Sequence, residues 1–199
     1  MASGHESDDP TAEIMEATYR ALCEHGYPET SISKIADEFE KSQSLLYYHY
    51  EDKEDLLEDF LRYLLDQLEA ELDEIDEDDP VQRLSAVLDR LFPRDIDDEG
   101  IRFRRAILEI RSQAPYHDVY QEQFKRSDDL ILAEIVDAIE DGIDSGAFRA
   151  VNSQQTAEFI YSTAYGGIEL GVTLEDEDSL ERSRVAIDDY IDSHLRMYA

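Results

Sequence analysis

Between Lys41 and Tyr50 the chain carries Gln43, Ser44, Leu45, Tyr47, Tyr48 and His49 but no carboxylate, although 50 of its 199 residues are Asp or Glu. Those side chains suit a polyanion with readable edges. A glutamine carboxamide can hold adenine by two hydrogen bonds, a leucine can touch a thymine methyl, and tyrosine hydroxyls can donate to phosphate. Lys53 follows at the start of the next helical pattern, where a helix N-terminus itself attracts phosphate. The missing acids are suggestive only, since Ser145–Ala157 is acid-free too. A solvated helix face is the bland alternative, and it makes poor use of two adjacent tyrosines.

Other chemistries lack their residues. None of the five histidines has a glutamate three residues before it, as a di-iron bundle requires, and none clusters with Cys23 at metal-ligand spacing. There is no glycine-rich phosphate loop and no nucleophile elbow. The expectation is a protein that is not an enzyme, with no metal and no cofactor. Cys23 falls in an apolar-periodic segment, where a buried, inert thiol is the common outcome.

Helical periodicity supplies the elements that must position the Lys41–Tyr50 side chains. Thr11–His25 sets Ile14, Ala17, Thr18, Ala21 and Leu22 on one stripe, with Gly26 and Pro28 as stop signals. Thr30 or Ser31 caps a short helix bearing Ile32, Ile35, Ala36 and Phe39, and Ser42 caps a third through about Tyr48. A long amphipathic helix runs from Lys53 to about Ile75. Further helices are expected over Val81–Phe92, Glu99–Ser112, Tyr116–Asp144, Ser153–Thr173 and Ser179–Met197, with no period-2 segment that argues for a strand. The fold class is therefore all-α, about nine helices.

Ala36 meets the need for a small residue at the crossing of two short helices, and Leu46 that for a large apolar residue inside the second, leaving the outer face free for a groove. Spacing alone is weak support, because helical hairpins are common. The wider pattern is specific. Gly26-Tyr27-x-x-Thr30-Ser31-Ile32-x-x-Ile35-Ala36, followed by Ser42-x-Ser44-x-Leu46-Tyr47-Tyr48-His49-Tyr50-x-x-Lys53-Glu54-x-Leu56, resembles the N-terminal domain of the TetR family of transcriptional regulators, in an acidic, haloarchaeal-type member. The resemblance implies phosphate contacts from Thr30 or Ser31, Ser42, Tyr47, His49 and Lys53. It implies base reading by Ser33, Lys34, Gln43, Ser44, Leu45 and Tyr48. The chain departs from the family pattern in the turn, at Glu40 and Lys41, and at Leu45.

It further implies a DNA-binding domain over residues 1–52, ordered from about residue 10, and a ligand-binding and dimerisation domain over residues 53–199. The last two helices would pair across a two-fold axis, so the partners expected are double-stranded DNA with a near-palindromic operator, a small-molecule effector and a second copy of the chain. Ala157, Ser162, Ala164, Gly166, Gly167 and Gly171 suit a close helix interface, with burial inside one subunit as the alternative. Phe103, Ile107, Tyr116, Tyr120, Phe124, Tyr161 and Tyr165 are candidate pocket walls, for each of which core packing competes. Among Arg102, Arg104, Arg105 and Arg111, surface pairing is expected for most, with an inward arginine holding an anionic ligand as the minority reading. The segment Ala106–Phe124 resembles the BetI-like branch faintly, too loosely to carry over its choline-related regulation.

A formal charge of −32, spread over nearly every exposed face, fits a cytoplasm of very high salt, where screening lengths fall to about 3 Å or less. No apolar run is long enough for a membrane span, so a soluble, cytoplasmic protein with no membrane partner is expected. Acidic residues beside the groove motivate one rival: a dimeric helical ligand-binding protein without DNA binding.

Overall fold

The computed structural model describes residues 10–39, 43–176 and 178–197. Among them the chain forms nine α-helices, with a single antiparallel bridge, Phe148 to Arg196, as its only β-type pairing. The turn residues Glu40, Lys41 and Ser42 lie outside the described residues.

The three N-terminal helices are α1 (Pro10–Glu29), α2 (Ile32–Glu38) and α3 (Gln43–His49). At Gly26 the backbone swings to φ 70°, a conformation that favours glycine, and the chain then makes one more turn to Glu29. The stop expected at Gly26 is thus a kink. Ser31 caps α2 by accepting from the Lys34 N–H at 3.3 Å. Asp52 caps the long α4 (Lys53–Asp73), accepting from the Asp55 N–H at 2.9 Å.

Five helices complete the bundle: α5 (Pro80–Leu91), α6 (Asp98–Arg111), α7 (Asp118–Asp144), α8 (Ser153–Leu174) and α9 (Asp178–Tyr190). A 3-10 turn, Ala114–Tyr116, precedes α7, which therefore starts two residues later than the periodicity places it. The last helix also departs from the sequence expectation, loosening into a π-type turn over Ile191–Leu195 before Met197. Arg149 N–H donates to Leu195 O and Met197 N–H to Ala147 O, both at 2.8 Å, so pairing with the α7–α8 connection takes over where the helix would have continued.

Two hydrophobic cores share the long helices. The first joins α1–α3 to the N-terminal half of α4, and Ala106, Ile110, Tyr120 and Phe124 of α6 and α7 belong to it. The second gathers Leu72, Leu84, Leu88, Ile135, Ile139, Ile160 and Ile187 from α4, α5 and α7–α9. Gly142 lies within α7 and makes room for the second core: a Cβ there would overlap the Phe148 ring. Among the described residues no helix is long and apolar enough to cross a membrane.

Candidate functional site

Ala36 and Leu46 are buried against the α1 core, so α2 and α3 are fixed by their inner faces. Tyr50, also buried, donates its hydroxyl to Asp59 Oδ2 at 3.3 Å and so ties the end of α3 to α4. With the inner face anchored, the outer one must face solvent. Tyr47 is 56% and Tyr48 83% exposed, and Ser44 and His49 are exposed beside them. Ser44, Tyr47 and Tyr48 share a helical face by their spacing, and the Tyr48 and His49 rings meet edge to face at 5.4 Å.

The remaining candidates divide. Ser31 and Ser33 are exposed, whereas Thr30 is buried and gives its hydroxyl to Gly26 O at 2.6 Å, leaving Ser31 as the surface member of that pair. Leu45 is half-buried against the first core. Lys34 lies 4.0 Å from Glu29, and Lys53 donates to Tyr27 O at 3.2 Å while sitting 4.1 Å above the Tyr27 ring. Gln43 opens α3, and Ser42 lies outside the described residues.

A cavity of about 440 Å³ opens inside the bundle, walled by Leu61, Leu64, Leu65 and Leu68 of α4, Leu91 of α5, Phe103, Ile107 and Leu108 of α6, Phe124 and Ile131 of α7, and Tyr165 and Ile168 of α8. Its size and mostly apolar lining are those of a small-molecule site. Phe103, Ile107, Phe124 and Tyr165 are the expected wall residues that it brings together. The other three are placed elsewhere: Tyr116 is 81% exposed on the 3-10 turn, Tyr120 is buried in the first core, and Tyr161 packs against the second core.

The polar part of the cavity is where sequence reasoning fell short. Arg111 donates to Asp128 Oδ1 at 3.0 Å and lies 5.0 Å from the centres of both the Phe124 and Tyr165 rings. The Tyr161 hydroxyl donates to that same Asp128 oxygen at 2.6 Å, so it positions the acid that holds Arg111. Burial opposes the charge on Arg111, but the Asp128 hydrogen bond and the Tyr165, Asp128 and Tyr161 charges together outweigh it and raise the guanidinium's pKa. Arg104 and Gln123 also line the cavity. Gln123 could have been found, since it interrupts the apolar stripe of Tyr120, Phe124 and Ile131.

The cavity and the α1–α3 unit are joined by short polar contacts. On α6, one residue after the wall residue Leu108, Glu109 accepts from the Tyr27 N–H at 2.9 Å. Tyr27 O in turn holds Lys53, at the start of α4. On α7, the buried Tyr120 reaches Glu54 O at 3.5 Å. Burial, with the Tyr27, Glu54 and Asp52 charges nearby, pushes the Tyr120 phenol up.

The small residues of α8 also divide. Ala157, Ala164 and Gly167 are buried within the chain, and a Cβ on Gly167 would overlap Ser183 Oγ of α9. For these three, burial inside one subunit is the observed role. Ser162 is exposed and Gly166 has open space around it; Phe159, Leu170 and Leu174 of α8, with Val185 of α9, present apolar surface to solvent.

Residues 14–60 match the bacterial regulatory proteins of the TetR family, and residues 80–196 match the C-terminal domain of BetI-type transcriptional repressors. A TetR transcription regulator from Haloarcula marismortui shares 37% identity, covering 94% of this chain and 99% of that one with a TM-score of 0.86. A transcriptional regulator from Rhodococcus sp. shares 26% over 90% of this chain and 97% of its own, at a TM-score of 0.72. One from Saccharomonospora viridis, solved in complex with choline, has the same fold at 22% identity, covering 94% and 98% with a TM-score of 0.78. No curated protein matches the chain.

Proposed function

The chain belongs to the TetR family of regulatory proteins, whose members are transcription regulators and not enzymes, and from that premise we propose that it is a repressor whose DNA affinity is set by a small molecule in the bundle cavity. The observation that carries the DNA half is the division of α3: Leu46 is sealed in the core while Tyr47 and Tyr48 stand in solvent. Two bulky phenols are kept wet where their hydroxyls can meet phosphate. Residues 1–52 form the operator-binding unit in this reading, with Ser31, Ser42, Tyr47, His49 and Lys53 toward the backbone and Ser33, Lys34, Gln43, Ser44, Leu45 and Tyr48 toward the bases. Residues 53–199 bind effector and dimerise through the outer faces of α8 and α9, where Phe159, Leu170, Leu174 and Val185 are exposed.

A two-fold dimer would set its α3 helices in successive major grooves about 34–36 Å apart and so select a near-palindromic site. The working environment is a cytoplasm of high potassium chloride, as the −32 charge suggests. A gel shift against the region upstream of its own coding sequence, in multimolar potassium chloride, tests the reading: a shift that competitor DNA does not remove is expected. No shift by a folded dimer would leave a ligand-binding protein without DNA binding. Within that assay Gln43→Ala is expected to relax base preference at one position of each half-site by about 1–3 kcal/mol. Tyr47→Phe should weaken all sequences alike. Equal, unchanged binding by both variants would remove this docking mode.

Effector binding reaches the operator unit through Glu109 in this account, because a ligand wedged against Leu108 and Arg111 moves the helix that holds Tyr27. Glu109→Ala should cost about 1–3 kcal/mol by leaving a partly buried N–H unpaired. It should also change operator affinity, although no DNA contact is lost. Urea unfolding and the gel shift, both at fixed potassium chloride, check the two halves separately.

A further inference from the structure

The bundle cavity is lined in part by polar atoms that the chain itself leaves unsatisfied. Arg104 Nε is shielded from solvent with no hydrogen-bond partner, and Arg104 makes no ion pair among the described residues. Gln123, 7% exposed, likewise has its Oε1 unpartnered. Both side chains line the same cavity. Native interiors rarely leave buried polar groups unpaired, since each loses its hydrogen bonds to water and gains none in exchange.

The charge lining the cavity is opposite in sign to that of the whole chain. Arg90, Arg104 and Arg111 line the cavity with Glu71 as its one carboxylate, in a protein whose net charge is −32. Arg90 is paired with Glu71, and Arg111 with Asp128. Arg104 is left over. Arg104 also borders a second cavity, toward the α8–α9 connection, where Asp95, Asp98, Glu175, Asp176 and Glu181 outnumber Arg94, Arg104 and Arg105. An anion entering there would meet five carboxylates, so the first cavity is the side from which Arg104 can be neutralised.

We propose that the cavity takes an amphipathic organic anion, whose carboxylate meets Arg104 and whose apolar body lies among the α4 leucines, Phe103 and Phe124. Gln123, on the same lining, can donate an amide N–H, while its unpartnered Oε1 is an acceptor and would take a donor group of the ligand, not the carboxylate. Charge-assisted bonds from a guanidinium to a carboxylate are the strong kind, and burial strengthens them further. A quaternary ammonium such as choline would instead place its positive charge beside three arginines. The identity of the ligand class rests on the effector reading above, but its test needs no DNA.

The probes are octanoate and 4-phenylbutyrate, each compared with the alcohol and the primary ammonium of the same skeleton. Binding is measured by calorimetry on the full chain in 2 M potassium chloride. Each carboxylate is expected to bind at least tenfold more tightly than its alcohol or ammonium. Arg104→Met should erase that difference, whereas Arg105→Met, removing an exposed arginine that faces Glu175, should keep it. Without ligand, Arg104→Met should unfold at the same urea concentration as the parent or higher, because it removes a half-buried cation whose shielded Nε has no partner. The proposal is overturned if neither carboxylate binds below 10 mM, if alcohol or ammonium binds as well, if Arg104→Met keeps the preference, or if that variant is less stable than the parent. Operator binding is scored separately by gel shift. A chain that shifts DNA without preferring anions loses only this inference, and one that prefers anions without shifting DNA loses only the repressor reading.

Discussion

Replacing Arg184 by alanine is expected to lower the unfolding free energy by about 3 kcal/mol, the low end of what removing one partner of a buried ion pair costs. Arg184 is 1% exposed although it is charged. It earns that burial by joining α9 to the end of α5: Nη1 donates to Phe92 O at 3.1 Å, Nε donates to Asp188 Oδ1 at 3.2 Å, and Nη2 lies 2.8 Å from Asp89 Oδ1 without hydrogen-bond alignment. Alanine would leave the Phe92 carbonyl unpaired and a void beside Ile187. The loss stays at the low end because Asp89 is 55% exposed, so water can take over its charge. Arg184→Lys should recover part of the loss, since an ammonium restores the charge but not the fork. Urea unfolding at fixed potassium chloride measures all three proteins. A change below 1 kcal/mol for the alanine variant would mean that the network is worth no more than a surface pair.

Arg184 also marks what the sequence could not convey. The apolar stripes of α1, α4 and α7 were readable because burial of one face imposes a 3.6-residue period, and the N-caps Ser31 and Asp52 stand where orphan N–H groups need acceptors. Leu46 inside and Tyr48 outside follow from the same period. Long-range partners have no such period. Nothing local to Arg184 distinguishes it from the exposed Arg182, and only folding brings Phe92 to it from 92 residues away. Arg104 is similar: four arginines within ten residues look alike in sequence, and the turn of α6 decides that Arg105 faces Glu175 while Arg104 faces the cavity. Tyr116 and Tyr120 were misplaced as pocket walls for a related reason. Aromatic residues suit a cavity, a core and a surface equally well, and the 3-10 turn before α7 sends Tyr116 outward. Gly142 is illegible in the same way, because only the fold shows that its missing side chain makes room for the Phe148 ring.

The second large effect concerns salt and the operator. A basic repressor that neutralises 6–10 phosphates loses roughly 10³–10⁵ in affinity between 50 and 200 mM salt, because each neutralised phosphate releases condensed counterions. This chain lacks the cations for that behaviour. From Thr30 to Leu57 its basic residues are Lys34, Lys41 and Lys53, against Asp37, Glu38, Glu40, Glu51, Asp52, Glu54 and Asp55. Two of the three lysines are already engaged, Lys34 beside Glu29 and Lys53 on the carbonyl and ring of Tyr27. Phosphate would have to compete for them. Bringing the α2–α3 face to DNA therefore sets like charges against each other, and potassium ions must remain in the interface or be taken up from solution. Affinity for the specific site is expected to stay flat or to rise with potassium chloride from roughly 0.5 M upward, since screening removes repulsion over a length that shrinks to about 3 Å at 1 M. Circular dichroism must follow folding across the same series, because a chain of charge −32 that unfolds at low salt would imitate the effect. If protein that is folded at every point still loses affinity with a slope near −0.9 per phosphate over many phosphates, cations are being released, not retained, and the α2–α3 face meets DNA through contacts other than those assigned to it.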